Sequence, residues 1–179
     1  LVAELTSLAA VQEGYDVKQT EVHGVSQRGG SVETHVRFGG KVHSPIVTPG
    51  EADVVIGLEK LEALRFAHFT RPDTGVVLVN DYEIVPGSVA DAEKLYPHET
   101  IEFLQAKGLR VVALPASKIA QSLGDGRMAN VVLLGALSTM LPISQETWQK
   151  TLSFRLPSRY LEANQRAFEA GKKMIQEPV

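Results

Sequence analysis

The run DVVIGLEKLEALRFAHF, residues 53–69, contains two patterns that together predict a strand followed by a helix. Its first part, Asp53 to Leu58, is short and rich in β-branched residues, as in strands that are buried on both faces. From Glu59 to Phe69 the apolar residues recur at the spacing of one helix face. We therefore predict a central strand of a parallel sheet with a helix directly after it.

The same alternation of strand and helix continues downstream. Buried-type strands are predicted over residues 75–80 and 110–114, and a helix over part of residues 90–107, broken or started near Pro97. Such alternation is typical of βαβ units. Beyond Pro115 helices are predicted over residues 116–123, 127–141, 145–154 and 158–175. The second of these is apolar almost all round, so we expect it to pack against the sheet or another subunit.

The N-terminal part predicts a helix followed by antiparallel strands. Helical spacing covers residues 1–13, and residues 15–22 have the composition of a strand. Residues 31–38 alternate as in a half-buried strand. The face expected to be buried holds Val32, Thr34, Val36 and Phe38, and the polar face holds Ser31, Glu33, His35 and Arg37. Gly39 and Gly40 suit a tight turn into a further strand over residues 41–47.

These elements predict an α/β protein. We expect one three-layer Rossmann-like domain over residues 1–179, with a mostly parallel sheet, an added antiparallel hairpin and a helical C-terminal third. The chain begins with Leu1 rather than Met and directly with a helix. We therefore expect that it starts inside a longer gene product.

Composition excludes several classes of function. A formal net charge of -3 argues against nucleic acid or an anionic membrane as a partner. The chain has no cysteine, so it carries no disulfide, no cysteinyl zinc site and no cysteine-ligated iron–sulfur cluster. No stretch approaches the roughly 18 apolar residues of a membrane span, and no basic leader opens the chain. We expect a soluble, cytoplasmic protein.

Few residues suggest catalysis by themselves. His23, His35 and His43 do not have the spacing of a metal motif, and we favour surface or hydrogen-bonded histidines. Glu59 and Glu62 could form an acid–base pair, but carboxylates at this position more often complement a helix N-terminus. A hydrolase site at Ser26 lacks the G-x-S-x-G elbow.

The glycine-rich loop after the first predicted strand leaves two interpretations open. Gln27, Arg28, Gly29, Gly30 and Ser31 join strand to strand, so neither a dinucleotide fingerprint nor a Walker motif is present. The loop is either a glycine turn with Arg28 paired to a neighbouring acid, or a segment that contacts a ligand or partner through backbone N–H groups and the guanidinium.

Two polar residues precede or open the apolar helix at 127–141. Asp125, after Gly124, is predicted to cap its N-terminus. Asn130 lies one turn into the helix and would need hydrogen-bond partners if buried. It marks either a tie between helix and loop or a subunit contact.

Four strings in this order resemble the gamma-type domain of 2-oxoacid:ferredoxin (acceptor) oxidoreductases, the group of pyruvate, ketoisovalerate, 2-oxoglutarate and indolepyruvate enzymes. The strings are EVHGVSQRGGSVETHVRFG from Glu21, ADVVIGLEKLEALR from Ala52, ANVVLLGALS from Ala129 and ANQRAFEAG from Ala163. They are spread over nearly the whole chain. SQRGGS and the GLExLEALR pattern are the most specific of them.

The resemblance implies an accessory subunit of an enzyme that oxidatively decarboxylates a 2-oxoacid to acyl-CoA. It implies no cofactor on this chain, with thiamine diphosphate, Mg, Fe–S clusters and coenzyme A in the assembled complex. The implied partners are alpha and beta subunits, a ferredoxin-like delta subunit in some members, and ferredoxin. Residues that would contact a partner or the coenzyme are His23, Gly24, Gln27, Arg28, Gly29, Gly30, Ser31, Glu59, Arg65 and Asn130. No catalytic residue is implied.

The chain departs from the family pattern at two points. Members usually begin with a strand and a GxGGQG turn before the first helix, whereas this chain begins in what resembles that helix. Members also often carry Asn at the position that Asp125 occupies in this chain. A second hypothesis therefore stays open: a free-standing α/β protein that binds a phosphate or carboxylate ligand through the Gln27–Ser31 loop.

Overall fold

The computed structural model describes residues 1–23, 32–85 and 96–176, except for the side chain of His23. Predictions for residues 24–31 and 90–95, including Gly24 and the Gln27–Ser31 loop, lie outside the described residues. The strands of the described part are β1 (Asp16–His23), β2 (Val32–Gly39), β3 (Val54–Gly57), β4 (Val76–Asn80) and β5 (Arg110–Leu114). The α-helices are α1 (Val2–Gln12), α2 (Lys60–Phe66), α3 (Thr100–Ala106), α4 (Ala116–Ser122), α5 (Ala129–Ser138), α6 (Gln145–Arg155) and α7 (Ser158–Gln176). Short 3₁₀ turns follow α2 at Ala67–Phe69 and precede α5 at Gly126–Met128.

Three strands form the predicted parallel sheet, in the order β3-β4-β5. β4 is the central strand and is buried along its whole length. The prediction of a central position for β3 is wrong within the described part, where β3 pairs with β4 alone. Apolar residues on both faces of a strand indicate that layers pack above and below it. They do not indicate whether the strand is central or at an edge of the sheet.

The two faces of β4 meet separate cores, which gives the predicted three layers. Leu78 packs with residues of α1, α5 and α7 on one side of the sheet. Val77 and Val79 point to the other side and pack with residues of α2 and α3. The period of two along a strand sends alternate side chains to opposite faces, and here both faces are covered.

The C-terminal helices form where they are predicted, and α5 is their centre. Its residues from Val131 to Ser138 are buried, mostly against the sheet, α4 and α7 of the same chain. α5 and α7 approach closely through two glycines. An added Cβ on Gly135 would collide with the backbone of Phe168, and one on Gly171 would collide with the backbone of Val132. The apolar surface of α5 is therefore largely covered within the chain.

The antiparallel hairpin forms between β1 and β2, and its proximal part packs on α1. Val17 and Phe38, a cross-strand pair, contribute to the main core, whereas Val32 is 55% exposed near the hairpin tip. His23, expected in a loop, is the last residue of β1. The predicted burial pattern thus holds only where α1 covers the hairpin.

The predicted strand over residues 41–47 is absent, and this segment is irregular. It lies over the face of β2 that was expected to face solvent, and buries His35 to 8% exposure. The Val47 N–H donates to Nδ1 of His35 at 2.9 Å, and Nε2 lies 2.9 Å from a Glu33 carboxylate oxygen. Neutral His35 therefore carries its proton on Nε2. His35 is a hydrogen-bonded histidine inside the fold.

No helix within residues 1–23, 32–85 and 96–176 has the length and apolar character needed to cross a membrane.

Candidate functional site

The carboxyl ends of the three parallel strands are tied together by one buried side chain, that of Asn80. Its Nδ2 donates to the Leu58 carbonyl oxygen at 3.1 Å and lies 2.9 Å from Ser117 Oγ. Its Oδ1 accepts from the Ser117 N–H at 3.2 Å. Asn80, the last residue of β4, thus connects the segments that follow β3 and β5. This edge of a parallel sheet is where α/β proteins commonly place functional residues.

Glu59 caps α2 at the same edge. Its carboxylate accepts hydrogen bonds from the N–H groups of Leu61 and Glu62, as favoured from the sequence. The Tyr96 hydroxyl donates to Glu59 Oε2 at 2.7 Å, and both side chains are buried. Burial, followed by the hydrogen bond to Glu59, raises the pKa of Tyr96 well above its usual value. Tyr96 therefore stays protonated and keeps the buried carboxylate bound to a donor.

Tyr96→Phe is expected to lower the free energy of unfolding by about 1.5–3 kcal/mol, because a buried carboxylate oxygen loses a hydroxyl donor. Denaturant unfolding followed by tryptophan fluorescence measures this, since Trp148 is the single tryptophan of the chain and is fully buried. Tyr82→Phe is the matched control, because Tyr82 is 47% exposed and should change stability by less than about 0.5 kcal/mol. Equal stability of the two variants would contradict a structural role for the Glu59–Tyr96 bond.

Lys60 forms a charged cluster beside Glu59. Its ammonium lies 3.0 Å from oxygens of both Asp81 and Glu83, and His98 Nδ1 lies 2.9 Å from the other Glu83 oxygen. Burial alone would lower the pKa of Lys60, but the hydrogen bonds to Asp81 and Glu83 outweigh it and leave the pKa raised. Lys60, followed by His98, lowers the pKa of Glu83. The cluster is therefore charged at neutral pH.

The other predicted site residues do not join Glu59. Arg65 is exposed in the last turn of α2 and lies 3.4 Å from Glu62. Asn130 is half-buried in the first turn of α5, and no side-chain hydrogen bond is found for it within the described part. No hydrogen bond or ion pair within that part joins Glu59, Arg65 and Asn130. They do not form one pocket-like cluster, and a subunit contact remains the open interpretation of Asn130.

The remaining predicted residues are His23, at the end of β1, and residues within 24–31, which lie outside the described part. β1 and β2 stay in register up to the pair His23 and Val32, between which residues 24–31 lie. Near this end Glu21, Val22 and Thr34 are exposed, so both faces of the distal hairpin are in contact with solvent. We call this exposed end of the hairpin, β1 from Glu21 onwards and β2 up to Thr34, the hairpin arm.

A second feature is an open pocket of about 430 Å³ next to the 3₁₀ turn before α5. Asp125 was predicted to cap the apolar helix, but it caps this turn instead and accepts from the Arg127 N–H at 2.9 Å. The N-cap residue of α5 is Met128, which makes no side-chain cap bond, because a 3₁₀ turn precedes the helix. Arg127 also places two guanidinium nitrogens against the Asp125 carboxylate, which lowers the pKa of Asp125. Because this guanidinium is already paired, the pocket offers a weaker anion site than its arginine suggests.

The described part of the chain contains no set of side chains that could bind a metal ion. No group of three or more His, Asp or Glu side chains there is placed to hold a metal ion. A thiolate-ligated cluster is excluded by the sequence itself, since it has no cysteine. These residues do not fit a metal centre or a cysteine-ligated cluster.

Three residues of the carboxyl edge were missed from the sequence: Lys60, Asn80 and Tyr96. A sequence pattern could have indicated Asn80, because it is the polar residue that ends the otherwise apolar run GVVLVN. No such pattern indicates Lys60 or Tyr96, since a lysine in a first helical turn and a tyrosine before Pro97 are ordinary surface patterns. Their partners are distant in sequence.

Comparison with known proteins gives consistent matches over nearly the whole chain. The family model described as pyruvate ferredoxin/flavodoxin oxidoreductase matches residues 1–174. Indolepyruvate oxidoreductase subunit IorB of Thermococcus kodakarensis is 37% identical, with 98% of this chain and 89% of that protein covered. The gamma subunit of a keto/oxoacid ferredoxin oxidoreductase from Geobacter sulfurreducens has a similar fold, with a TM-score of 0.70, 21% identity, and 98% of this chain and 90% of that chain covered.

The same fold also occurs inside a longer chain. The 2-oxoglutarate:ferredoxin oxidoreductase of Magnetococcus marinus, solved with 2-oxoglutarate, coenzyme A and succinyl-CoA bound, aligns with a TM-score of 0.70 at 20% identity. The alignment covers 98% of this chain and 28% of that one. The matches confirm the resemblance found in the four sequence strings: the chain belongs to the pyruvate ferredoxin/flavodoxin oxidoreductase family.

Proposed function

We propose that the chain is the gamma-type accessory subunit of a 2-oxoacid oxidoreductase, with indolepyruvate as its first candidate substrate. The observation that carries the proposal is the 37% identity to an indolepyruvate oxidoreductase subunit over 98% of the chain. The composition of the chain supports an accessory role, because it has no thiolate with which to bind a cluster. The free-standing ligand binder considered from the sequence gains no support from these relatives.

In this proposal the cofactors belong to the companion subunits. There thiamine diphosphate with Mg would supply the electron sink for decarboxylation, Fe–S clusters would supply electron transfer to ferredoxin or a related acceptor, and coenzyme A would be the acyl acceptor. The described residues of this chain supply no ligand set for metal or cluster. Its own contribution is then a rigid scaffold that places the hairpin arm and the sheet edge against the alpha and beta subunits.

The test is reconstitution of the complex from purified chains. We expect the isolated chain to show no oxidation of indolepyruvate, and the complex with its companion subunits to reduce an electron acceptor when indolepyruvate and coenzyme A are supplied. Pyruvate and 2-oxoisovalerate in parallel assays decide the substrate. Full activity of the companions without this chain, or turnover by this chain alone, would contradict the proposal.

Arg28→Ala tests the glycine-rich loop that the sequence predicts between β1 and β2. We expect the variant to bind the companion subunits more weakly, or to raise the KM for coenzyme A, by about tenfold, while its unfolding free energy changes by less than about 0.5 kcal/mol. The reason comes from the sequence, since a charged residue beside Gly29 and Gly30 is predicted to lie in a loop, where substitutions usually cost little stability. Residues 24–31 themselves lie outside the described part.

Arg110→Ala is the matched control for this variant. Arg110 is exposed at the amino-terminal end of β5, the end that lies away from the carboxyl edge of the sheet. It should leave both assembly and kinetics unchanged. An Arg28→Ala complex that assembles and turns over like wild type would remove the loop from the proposed interface. A thermal shift of the isolated chain with coenzyme A alone would instead favour the free-standing binder.

A further inference from the structure

Four large apolar side chains are exposed together at the carboxyl edge of the parallel sheet. Leu58 follows β3 and is 50% exposed, while Tyr82, Ile84 and Val85 follow β4 and are 47%, 56% and 39% exposed. The two segments are joined, because the Lys60 N–H donates to the Tyr82 carbonyl oxygen at 3.0 Å. We name these four residues the carboxyl-edge patch. Burying them in an interface would remove apolar surface from water.

The patch differs from the other exposed apolar residues of the helices. Val11, Phe103, Phe154 and Tyr160 lie on four different helices, α1, α3, α6 and α7, and single exposed residues of this kind need no explanation. Neighbouring exposed apolar residues, in contrast, mark interaction sites. Two hydrogen bonds hold the backbone of Leu58 and Tyr82, one from the Lys60 N–H to Tyr82 and one from the Asn80 side chain to Leu58. These two positions are therefore fixed before a partner binds, which lowers the cost of ordering them.

The charges next to the patch indicate which kind of partner it fits. Asp81 and Glu83 are 43% and 29% exposed, whereas Lys60, which neutralises one of them, is only 15% exposed. His98, 55% exposed beside Glu83, offsets part of this charge only when it is protonated, so the side facing solvent is negative when His98 is neutral. Two copies of this chain packed patch to patch would bring these carboxylates towards each other, which is unfavourable. An apolar surface with lysine or arginine at its rim is complementary.

We propose that the carboxyl-edge patch is a docking surface for the cofactor-bearing companion subunit, and that this subunit presents an apolar surface with a basic rim. The proposal rests on the proposed function, because it takes the partner from there. It adds a second contact to the hairpin arm, at Leu58 within one of the four strings and at Tyr82, Ile84 and Val85, which lie outside them. Tyr82 and Ile84 are the expected anchors, since aromatic and large apolar side chains dominate the binding energy of interfaces.

The experiment compares two double variants in binding to the purified companion subunit. Tyr82→Ser/Ile84→Ser removes the anchors, and Phe103→Ser/Phe154→Ser removes two exposed rings from other surfaces. We expect the first variant to raise the Kd by about tenfold or more and the second to leave it unchanged. Both should keep the wild-type unfolding midpoint by Trp148 fluorescence. A third variant, Asp81→Asn, should reduce the salt dependence of binding.

The outcomes separate this inference from the proposed function. If the wild-type chain does not bind the companion subunit, the proposed function and the docking surface both fail. If the wild-type chain binds and the Tyr82→Ser/Ile84→Ser variant binds equally well, only the docking surface fails. If the variant instead loses self-association seen for wild type by light scattering, a second copy is the occupant and the proposal is overturned.

Discussion

Replacing Gly171 by alanine is expected to lower the free energy of unfolding by about 3 kcal/mol. Gly171 of α7 faces the backbone of Val132 in α5, and a Cβ at this position would collide with the Val132 carbonyl group. A side chain could rotate away from such a contact, but backbone inside a helix cannot. The two helices must therefore move apart, and the core around Phe168 loses contacts.

Gly135→Ala tests the same crossing from the other helix. Its added Cβ would meet the carbonyl group of Phe168, so the expected loss is similar. Because both variants separate the same two helices, the double variant should cost less than the sum of the single ones. Additive losses would indicate that the two glycines act independently.

The sign of these effects is informative, because alanine is the better helix former. In an exposed helix interior Gly→Ala stabilises by about 1 kcal/mol, so a loss of stability must come from the helix crossing. Gly40→Ala is the control, since Gly40 has no heavy atom near the added Cβ and does not have a positive φ. It should leave the unfolding midpoint almost unchanged. A stabilised Gly171→Ala variant would contradict the packing of α5 on α7.

Trp148 makes this measurement direct. It is the single tryptophan, it is fully buried, and its ring centroid lies 6.0 Å from that of Phe168. Its Nε1 has no hydrogen-bond partner among the described residues, so its emission depends mainly on apolar packing. Unfolding of wild type and variants by denaturant, followed by Trp148 fluorescence, therefore measures the stability of the core around Phe168, where α5 and α7 pack together.

The order of helices and strands was predictable because it depends on local patterns. The run at residues 53–69, the β4 run and the C-terminal helices all have periodicity that a short window contains. The position of β3 in the sheet was not predictable in this way, since strand neighbours are set by pairing over long sequence distances. The same holds for His35, whose buried position depends on where residues 41–47 lie.

The candidate site was predictable only in part. Glu59 was found because a cap is a local feature, and the donors to its carboxylate are N–H groups in the first turn of the helix that it caps. Its partner Tyr96 is 37 residues away and has no pattern of its own. The close contact of α5 and α7 at Gly135 and Gly171 was missed for a similar reason. A glycine inside a helical run lowers helix propensity, and only the approach of the second helix shows why it is needed.

The second large effect is expected at Asn80. Asn80→Ala should lower the free energy of unfolding by about 1–3 kcal/mol, because the part-buried Leu58 carbonyl loses a donor, the part-buried Ser117 N–H loses its acceptor, and the space of the buried Asn80 side chain is left empty. The matched control is Asn164→Ala. Asn164 donates only to the exposed Tyr160 carbonyl in the preceding helical turn, so its loss should cost less than about 0.5 kcal/mol.

Asn80→Asp separates the hydrogen bonds of this side chain from its shape. The new carboxyl group keeps an acceptor for the Ser117 N–H but, when ionised, turns an oxygen towards the Leu58 carbonyl oxygen. Burial and this repulsion raise its folded pKa above the unfolded value of about 3.9, because no cation bonds to the Asn80 side chain in the described part. A raised folded pKa gives stability that is present below the unfolded pKa and is lost as pH rises through the folded one. Unfolding curves from acidic to neutral pH should therefore show the variant falling further below wild type as pH rises, and a constant difference would place Asn80 outside the tie between the three strands.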